Sequence, residues 1–355
     1  MKKVLNLTLY GNYNYGNKLQ NFAVQRKLES LGIKSYTLID DKNDRGQEKV
    51  KSIIKKGLSR FDKKYKREAR FKEFDQHINK IETGKLQEHE FDFICVGSDQ
   101  VWNYRDKQCY KILKYIETTK IKNIFSLSAS FGCSSMEKKY YKKYAALNKL
   151  KNISVREESG KELIEKLISR QDSTVLLDPT MLIDLQCWNE ISRRPRQMNG
   201  KKWKNQKYIL NYFLGELNTK ERNQIEKIAR ENNCRIINIL DKNDPFYTCG
   251  PSEFIWLEQN AFLICTDSFH SCVFAILYRN PFIVFNRHDG QKGINSMNSR
   301  IETLLEKFGL ENRYYKDEVS NEYLTYDYFN RDSVLRRERE KADRFLKHAL
   351  KRSID

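Results

Sequence analysis

Short apolar runs that stop at a turn rich in glycine, serine or aspartate, and then give way to an amphipathic helix, recur along this 355-residue chain. Phe91 to Val96 is the clearest. It is too short and too uniformly apolar for a helix, it reads as a strand buried on both faces, and Gly97-Ser98-Asp99-Gln100-Val101-Trp102-Asn103 follows as a turn at its carboxyl end. Lys3 to Leu9 is a second such run. It leads through a Gly/Asn-rich turn, Gly11 to Gly16, into a helix carrying Leu19, Phe22, Ala23 and Val24 that stops near Gly32. Ser35 to Ile39 then completes a right-handed βαβ unit. Ile124 to Ser128, Ile153 to Val155 and Val175 to Leu177 are further strands, with helices over Met136 to Leu150 and Glu158 to Ile168. Alternation of this kind predicts an α/β fold with parallel sheets.

A polar, basic stretch, Ser192 to Lys207, interrupts the pattern after Asp178-Pro179, and a second alternation follows. Its strands are expected at Tyr208 to Leu214, Arg235 to Leu240, Phe262 to Cys265 and Phe282 to Phe285. Its helices are expected at Thr219 to Asn232, Ser252 to Gln259, Phe269 to Tyr278 and Arg300 to Phe308. Two lobes suit a chain longer than one hydrophobic core usually organises. The expected division is an N-terminal Rossmann-like lobe over 1–185 with a basic helical insertion between Lys51 and Ile81, and a linker over 186–207. A C-terminal Rossmann-like lobe over 208–322 follows, then a charged helix over 323–355 that returns to the first lobe.

The formal net charge of +19 calls for an acidic partner or surface, although basic residues at helical spacing are most simply solvated helix faces. No run approaches the roughly 18 apolar residues of a membrane span, and the start lacks a signal-peptide core, so a cytoplasmic location is expected. The 8 cysteines form no C-x-x-C pair and have no histidines at zinc spacing, which predicts a reducing compartment and no structural metal.

Ligands of open α/β sheets bind outside the carboxyl ends of the strands, which directs attention to four turns: 11–17, 97–103, 128–132 and 266–271. The Gly11 to Gly16 spacing matches neither the dinucleotide fingerprint nor a phosphate-binding Walker loop, so NAD and ATP are poorly supported. Cys265-Thr266-Asp267-Ser268-Phe269-His270-Ser271 is the strongest local signal. A buried strand ends, Asp267 and Ser268 stand where a helix cap belongs, and His270 falls in the first turn. An imidazole there can change charge near neutral pH when an anion binds, which suits an acid/base, and equally it can serve as a hydrogen-bonded structural group. Arg156 follows a strand and can offer its planar fork to an anion or pair with Glu157 and Glu158. Trp102 suits a sugar ring or the core. His77, His89, His288 and His348 are expected at the surface.

Taken together and in order, these segments resemble the polysaccharide pyruvyltransferases: Gly16-Asn17 with Leu19-Gln20, Val96 to Asn103, Ser128-Ala129-Ser130-Phe131-Gly132, Ile153 to Glu157, Leu177-Asp178-Pro179-Thr180, and Thr266 to His270. The resemblance runs from the first strand to about Arg300. It implies two Rossmann-like lobes of the GT-B glycosyltransferase kind, with phosphoenolpyruvate and a sugar acceptor in the cleft and no required metal or cofactor. By position it implies His270 as catalytic histidine and Arg156 as anion-binding arginine. Many members carry Arg where this chain has Ser268, and Gly where it has Ser271. Donor binding is therefore expected to involve Gly16, Asn17, Ser130, Ser268, Ser271 and Arg300, with Lys18 as another base. Asp99, Gln100 and Trp102 are the expected acceptor residues.

The expected reaction is formation of a pyruvate ketal on a sugar of a surface polysaccharide or its lipid-linked precursor, with release of phosphate. The basic helices would then meet the anionic inner face of the membrane, and no nucleic-acid partner is expected. Two other readings stay open on sequence alone: a nucleotide-sugar glycosyltransferase on the same plan, and a non-catalytic basic protein that binds nucleic acid or a membrane surface.

Overall fold

The computed structural model describes residues 1–11, 13–40, 62–287, 299–316, 318, 320–325 and 329–351. The chain divides into two compact units. Unit 1 draws on Met1–Leu58, Asp75–Ile183 and Leu335–Asp355, and unit 2 on Ser59–Phe74 and Asp184–Val334.

Unit 1 contains β1 (Lys3–Leu7), α1 (Tyr15–Glu29) and β2 (Lys34–Ile39), which form the expected βαβ start. After α2 (Lys63–Phe74), which belongs to unit 2, come β3 (Lys80–Glu82), β4 (Phe93–Val96), α3 (Lys107–Thr118) and β5 (Ile124–Ser126). The five strands make one parallel sheet in the order β3-β2-β1-β4-β5. A small parallel pair, β6 (Ser154–Val155) and β7 (Thr174–Val175), flanks α4 (Glu158–Ile168) and is joined to the sheet side by the bridges Phe125 to Asn152 and Ala129 to Val155. Asn14 caps α1 by accepting a hydrogen bond from the Asn17 amide. Most of α1 is buried, including polar Asn21 and Gln25, because these meet partners on the strands: Asn6 Nδ2 and Thr37 Oγ1 donate to Asn21 Oδ1, and Gln25 Nε2 donates to Thr37 Oγ1. Such a seam is tolerated under a helix only because its groups find one another.

Unit 2 repeats the plan. After α5 (Pro179–Leu182) of unit 1 come α6 (Leu185–Ile191), β8 (Tyr208–Tyr212), α7 (Thr219–Glu231) and β9 (Arg235–Asn238). They are followed by α8 (Pro251–Asn260), β10 (Leu263–Thr266), α9 (Phe269–Tyr278), β11 (Phe282–Val284) and α10 (Ser299–Phe308). The strands are parallel in the order β11-β10-β8-β9. Asn218 starts α7 with a reciprocal capping box to Glu221, and the α9 residues Phe269 to Leu277 are buried, as expected of a helix that is apolar nearly all round.

The final helix, α11 (Arg331–Ala349), returns to unit 1 from Leu335 onward. Asp343 pairs with Lys27 at 2.6 Å, and the Arg339 guanidinium donates to the carbonyls of Met181 and Ile183. No helix among the described residues is long and apolar enough to cross a membrane.

The division differs from the expected one in two places. Residues 186–207 group with unit 2 and are not a free linker: Trp188 is buried edge-on against Phe274, and Trp203 packs against Phe246 and Tyr208. Tryptophans spaced through a basic stretch anchor it, and its charge alone conceals that. The expected insertion between Lys51 and Ile81 splits three ways. Its part up to residue 61 lies outside the described residues, α2 joins unit 2, and Lys80 and Ile81 open strand β3. α2 is held in unit 2 because Arg67 donates to the Tyr247 carbonyl at 2.8 Å, and Gly250 lets the backbone of Arg70 come within 3.0 Å of where a side chain would begin. Residues Lys138–Lys149, expected as an ordinary helix, form a 3-10 helix.

Candidate active site

In unit 1 the segments after β4, β6 and β7 converge on one guanidinium. Gly97 carries the chain over the first strand, where an added Cβ would lie 2.5 Å from Asn6 Oδ1, and Asp99 takes a left-handed conformation (φ 75°). Asp178, which caps α5 by accepting from the Thr180 amide and hydroxyl, also accepts from the Ser98 hydroxyl at 2.8 Å and from Arg156 Nη1 at 2.7 Å. The guanidinium further lies 3.9 Å from both Asp99 and Glu157. Burial alone would push the Arg156 pKa down. The carboxylates of Asp178, Asp99 and Glu157 outweigh it and leave the group above its ordinary value. Three carboxylates around one buried cation make Arg156 a charge hub that ties three turns together.

Of the other expected residues of unit 1, Ser130 and Gln100 adjoin this hub, while Gly16, Asn17 and Lys18 lie at the start of α1. The Ser130 hydroxyl donates to Glu157 Oε1 at 2.8 Å and accepts from the Gly132 amide. Asp99 Oδ1 accepts from the Gln100 amide, and Gln100 Oε1 accepts from Asn103 Nδ2. Gly16 is buried in the first turn of α1 and Asn17 follows it, half-buried. Lys18 is buried, 2.7 Å from Asp75 Oδ1 and with its ammonium 3.5 Å from the centre of the Tyr10 ring. Burial lowers its pKa, and Asp75 offsets part of that. Trp102 departs from its expected role. It is fully buried, 5.2 Å from Phe131, with its carbonyl accepting from the Tyr144 hydroxyl, so it offers no face to a sugar. A large aromatic directly after a strand-end turn falls under the turn, into the core.

In unit 2 the turn after β10 is held by Asp267. Its two carboxylate oxygens accept from the Leu214 and Gly215 amides, each at 2.7 Å, and Arg287 Nε lies 3.1 Å from Oδ2. Asp267 therefore laces the β8, β10 and β11 turns together and does not cap α9. Ser268 occupies the cap position without a side-chain cap bond, and its amide donates to Thr266 Oγ1. His270 is the second residue of α9, largely buried, with its ring edge-on to Phe269 at 5.4 Å. The Ser271 hydroxyl turns inward to donate to Glu258 Oε1 at 2.6 Å. Burial pushes the Glu258 carboxyl well above the usual carboxylate range, and the Ser271 bond offsets only part of this. Arg300 is buried in the first turn of α10. Of the histidines expected at the surface, His89 and His348 are exposed, His77 is half-buried, and His288 lies outside the described residues.

Sequence reasoning passed over Arg287. It stands just beyond β11, as Arg156 stands just beyond β6, and the same rule of a basic residue at the end of a buried run selects it. The turn after β9 was also passed over. Leu240 there, with Asn211 of β8 and Asn238 at the end of β9, lines a cavity of about 520 Å³.

Two parallel Rossmann-like units carry polar turns at the carboxyl edges of their sheets, where ligands of open α/β sheets bind. Solved structures share the fold. The UDP-N-acetylglucosamine 2-epimerase of Rickettsia bellii matches with a TM-score of 0.52 at 12% identity, over 98% of this chain and 96% of that one. A Listeria monocytogenes protein assigned as the same kind of enzyme matches with a TM-score of 0.52 at 10% identity, over 97% of this chain and 91% of that one. No curated protein matches the sequence. The profile of the polysaccharide pyruvyl transferase family matches residues 14–289, and the chain belongs to that family. It is a pyruvyltransferase acting on polysaccharide.

Proposed function

We propose that the chain transfers the enolpyruvyl unit of phosphoenolpyruvate to two hydroxyls of a sugar, forming a pyruvate ketal and releasing phosphate. A proton is delivered to the methylene carbon of the enol, which becomes the ketal methyl, and the first sugar hydroxyl adds to the adjoining carbon. The C–O bond to phosphate then breaks with its electron pair on phosphate, and the second hydroxyl closes the ring. One hydroxyl proton replaces the proton spent on the methyl and the other leaves with phosphate.

The observation that carries this reading is His270 in the first turn of α9, directly beyond β10, in a chain of this family. His270 delivers the proton and then takes one from the attacking hydroxyl, a role worth about 10²- to 10⁴-fold. Arg156, the Gly16 amide and the Asn17 side chain serve the donor anion. Since Arg156 is already ringed by carboxylates, helix N-termini carry a larger share of that work than the guanidinium does. Asp99 and Gln100 are the proposed acceptor contacts in unit 1. The net charge of +19 supports a lipid-linked acceptor at an anionic membrane face.

The test is incubation with phosphoenolpyruvate and a panel of lipid-linked and free glycans, with phosphate release and glycan mass followed together. Phosphate release coupled to a glycan that gains a pyruvate ketal, and lost in His270→Ala, supports the reading. Turnover of nucleotide sugars alone would overturn it.

A further inference from the structure

The cavity beyond the carboxyl ends of β8 and β9 lies in unit 2, about 520 Å³ in volume, within the range of small-molecule sites. Phe213, Leu217, Ile225, Ile236 and Leu240 supply its apolar wall. Its polar end is a pair of carboxamides: Asn211 Nδ2 donates to Asn238 Oδ1 at 2.9 Å. Asn211 is 6% exposed, and its Oδ1 is buried with no hydrogen-bond partner. Whichever way that amide is turned, only one of its polar atoms can face Asn238, and the residue lines the cavity. A buried amide atom without a partner is destabilising until a donor reaches it.

The charges lining the cavity restrict what can supply that donor. Among the described lining residues, Glu216, Glu226 and Asp241 set three carboxylates against the guanidinium of Arg222, whose Nε donates to the Leu217 carbonyl at 3.1 Å, while Arg230 outside the lining lies 3.8 Å from Glu226. Such a lining repels phosphate and carboxylate, and therefore both phosphoenolpyruvate and a nucleoside diphosphate. It is rich in acceptors and poor in free donors, so it favours an uncharged ligand that carries many O–H or N–H groups on an apolar frame. A sugar ring has that character, with hydroxyl donors at its rim and C–H faces for Phe213 and Leu217.

We propose that this cavity is a subsite for an uncharged saccharide unit of the acceptor, held through Asn211. The proposal rests on the pyruvyl-transfer reading for the word acceptor, and its test separates the two. The full-length chain, labelled at isoleucine and leucine methyls, is titrated with methyl hexopyranosides and methyl N-acetylhexosaminides, and in parallel with phosphoenolpyruvate, inorganic phosphate and a nucleoside diphosphate. Saturable shifts of the Ile225, Ile236, Leu217 and Leu240 methyls are expected with a neutral glycoside and not with the anions. Asn211→Leu and Leu240→Trp should each weaken that binding about tenfold while methyl signals elsewhere stay in place. In turnover the two variants should raise the KM for the glycan acceptor about tenfold with kcat nearly unchanged. The rim variant Leu240→Trp keeps the test open if Asn211→Leu does not fold. Shifts produced equally by phosphate, no shift with any glycoside, or an unchanged acceptor KM in Leu240→Trp would each overturn the subsite. Glycoside binding here without phosphate release from phosphoenolpyruvate would support the subsite and sink the pyruvyl-transfer reading.

Discussion

The two units present the same edge of the same kind of sheet and organise it differently. In unit 1 the segments after β4, β6 and β7 are tied by side chains: Asp99, Glu157 and Asp178 meet around Arg156, and Ser98 donates to Asp178. In unit 2 the turns after β8 and β10 are tied through backbone amides, which Asp267 accepts, and Arg287 completes the link to β11. The first arrangement uses up its ionic groups in holding shape. The second leaves His270 at a helix start and an open cavity between β8, β9 and α7. A shared fold therefore does not distribute chemistry evenly. One edge is held mainly by ion pairs between side chains, the other mainly by a carboxylate on main-chain amides.

The sharpest test of this contrast is His270→Gln. If unit 2 carries the acid/base, kcat should fall by about 10²- to 10⁴-fold while the protein stays folded, since Gln keeps a polar side chain of similar size in the first turn of a helix packed through Val273, Phe274 and Leu277. Equal loss of activity and folded protein would make His270 a structural group.

Arg156→Met should show the opposite signature. It leaves Asp178, Asp99 and Glu157 around an apolar side chain, and removal of one partner from a buried ionic group typically costs about 3–5 kcal/mol. Urea unfolding should read most of that, and Asp178→Asn in the same chain should recover part of it. Unchanged stability with a raised KM for phosphoenolpyruvate would show that Arg156 binds the donor and does not chiefly hold the turns. Asp267→Ala is the corresponding test in unit 2. It removes the acceptor of two amides and the partner of Arg287, and a loss of about 2–3 kcal/mol is expected from charge-assisted bonds of this kind, read by the same unfolding.

What could be read in the sequence follows from the same contrast. The strands, the two alternations and the turn positions were accessible because burial on both faces of a parallel sheet leaves continuous apolar runs such as Phe93 to Val96 and Leu263 to Thr266. The three-residue edge strand β3 was not, since Lys80 to Glu82 is short, half-exposed and polar. His270 and Arg156 could be picked out by position, but their partners could not. Asp178 reaches Arg156 across 22 residues and Leu214 reaches Asp267 across 53, and no local pattern records such pairings. Trp102 shows the limit from the other side. Its place beside Asp99 suggested a ligand face, and only packing against Phe131 and Tyr144 reveals a core residue.

The smallest effect concerns Glu258, which sits beneath α9 and accepts from Ser271. Its folded pKa lies well above the ordinary value because burial penalises the charged form. The unfolded chain would release this proton near pH 4.3. Between that point and the folded pKa the native state binds the extra proton, so a rise in pH favours unfolding and the stability held below the unfolded pKa is progressively lost. Glu258→Gln keeps an acceptor for Ser271 and removes the titration. The variant should therefore match the parent chain below the unfolded carboxyl pKa and exceed it by a margin that widens as the pH rises above that point, measured as the difference in thermal midpoint. A margin independent of pH would mean that Glu258 already carries its charge when folded. The unit 2 edge would then contain a buried ionic centre, like the one around Arg156, and the contrast between the units would fail at that point.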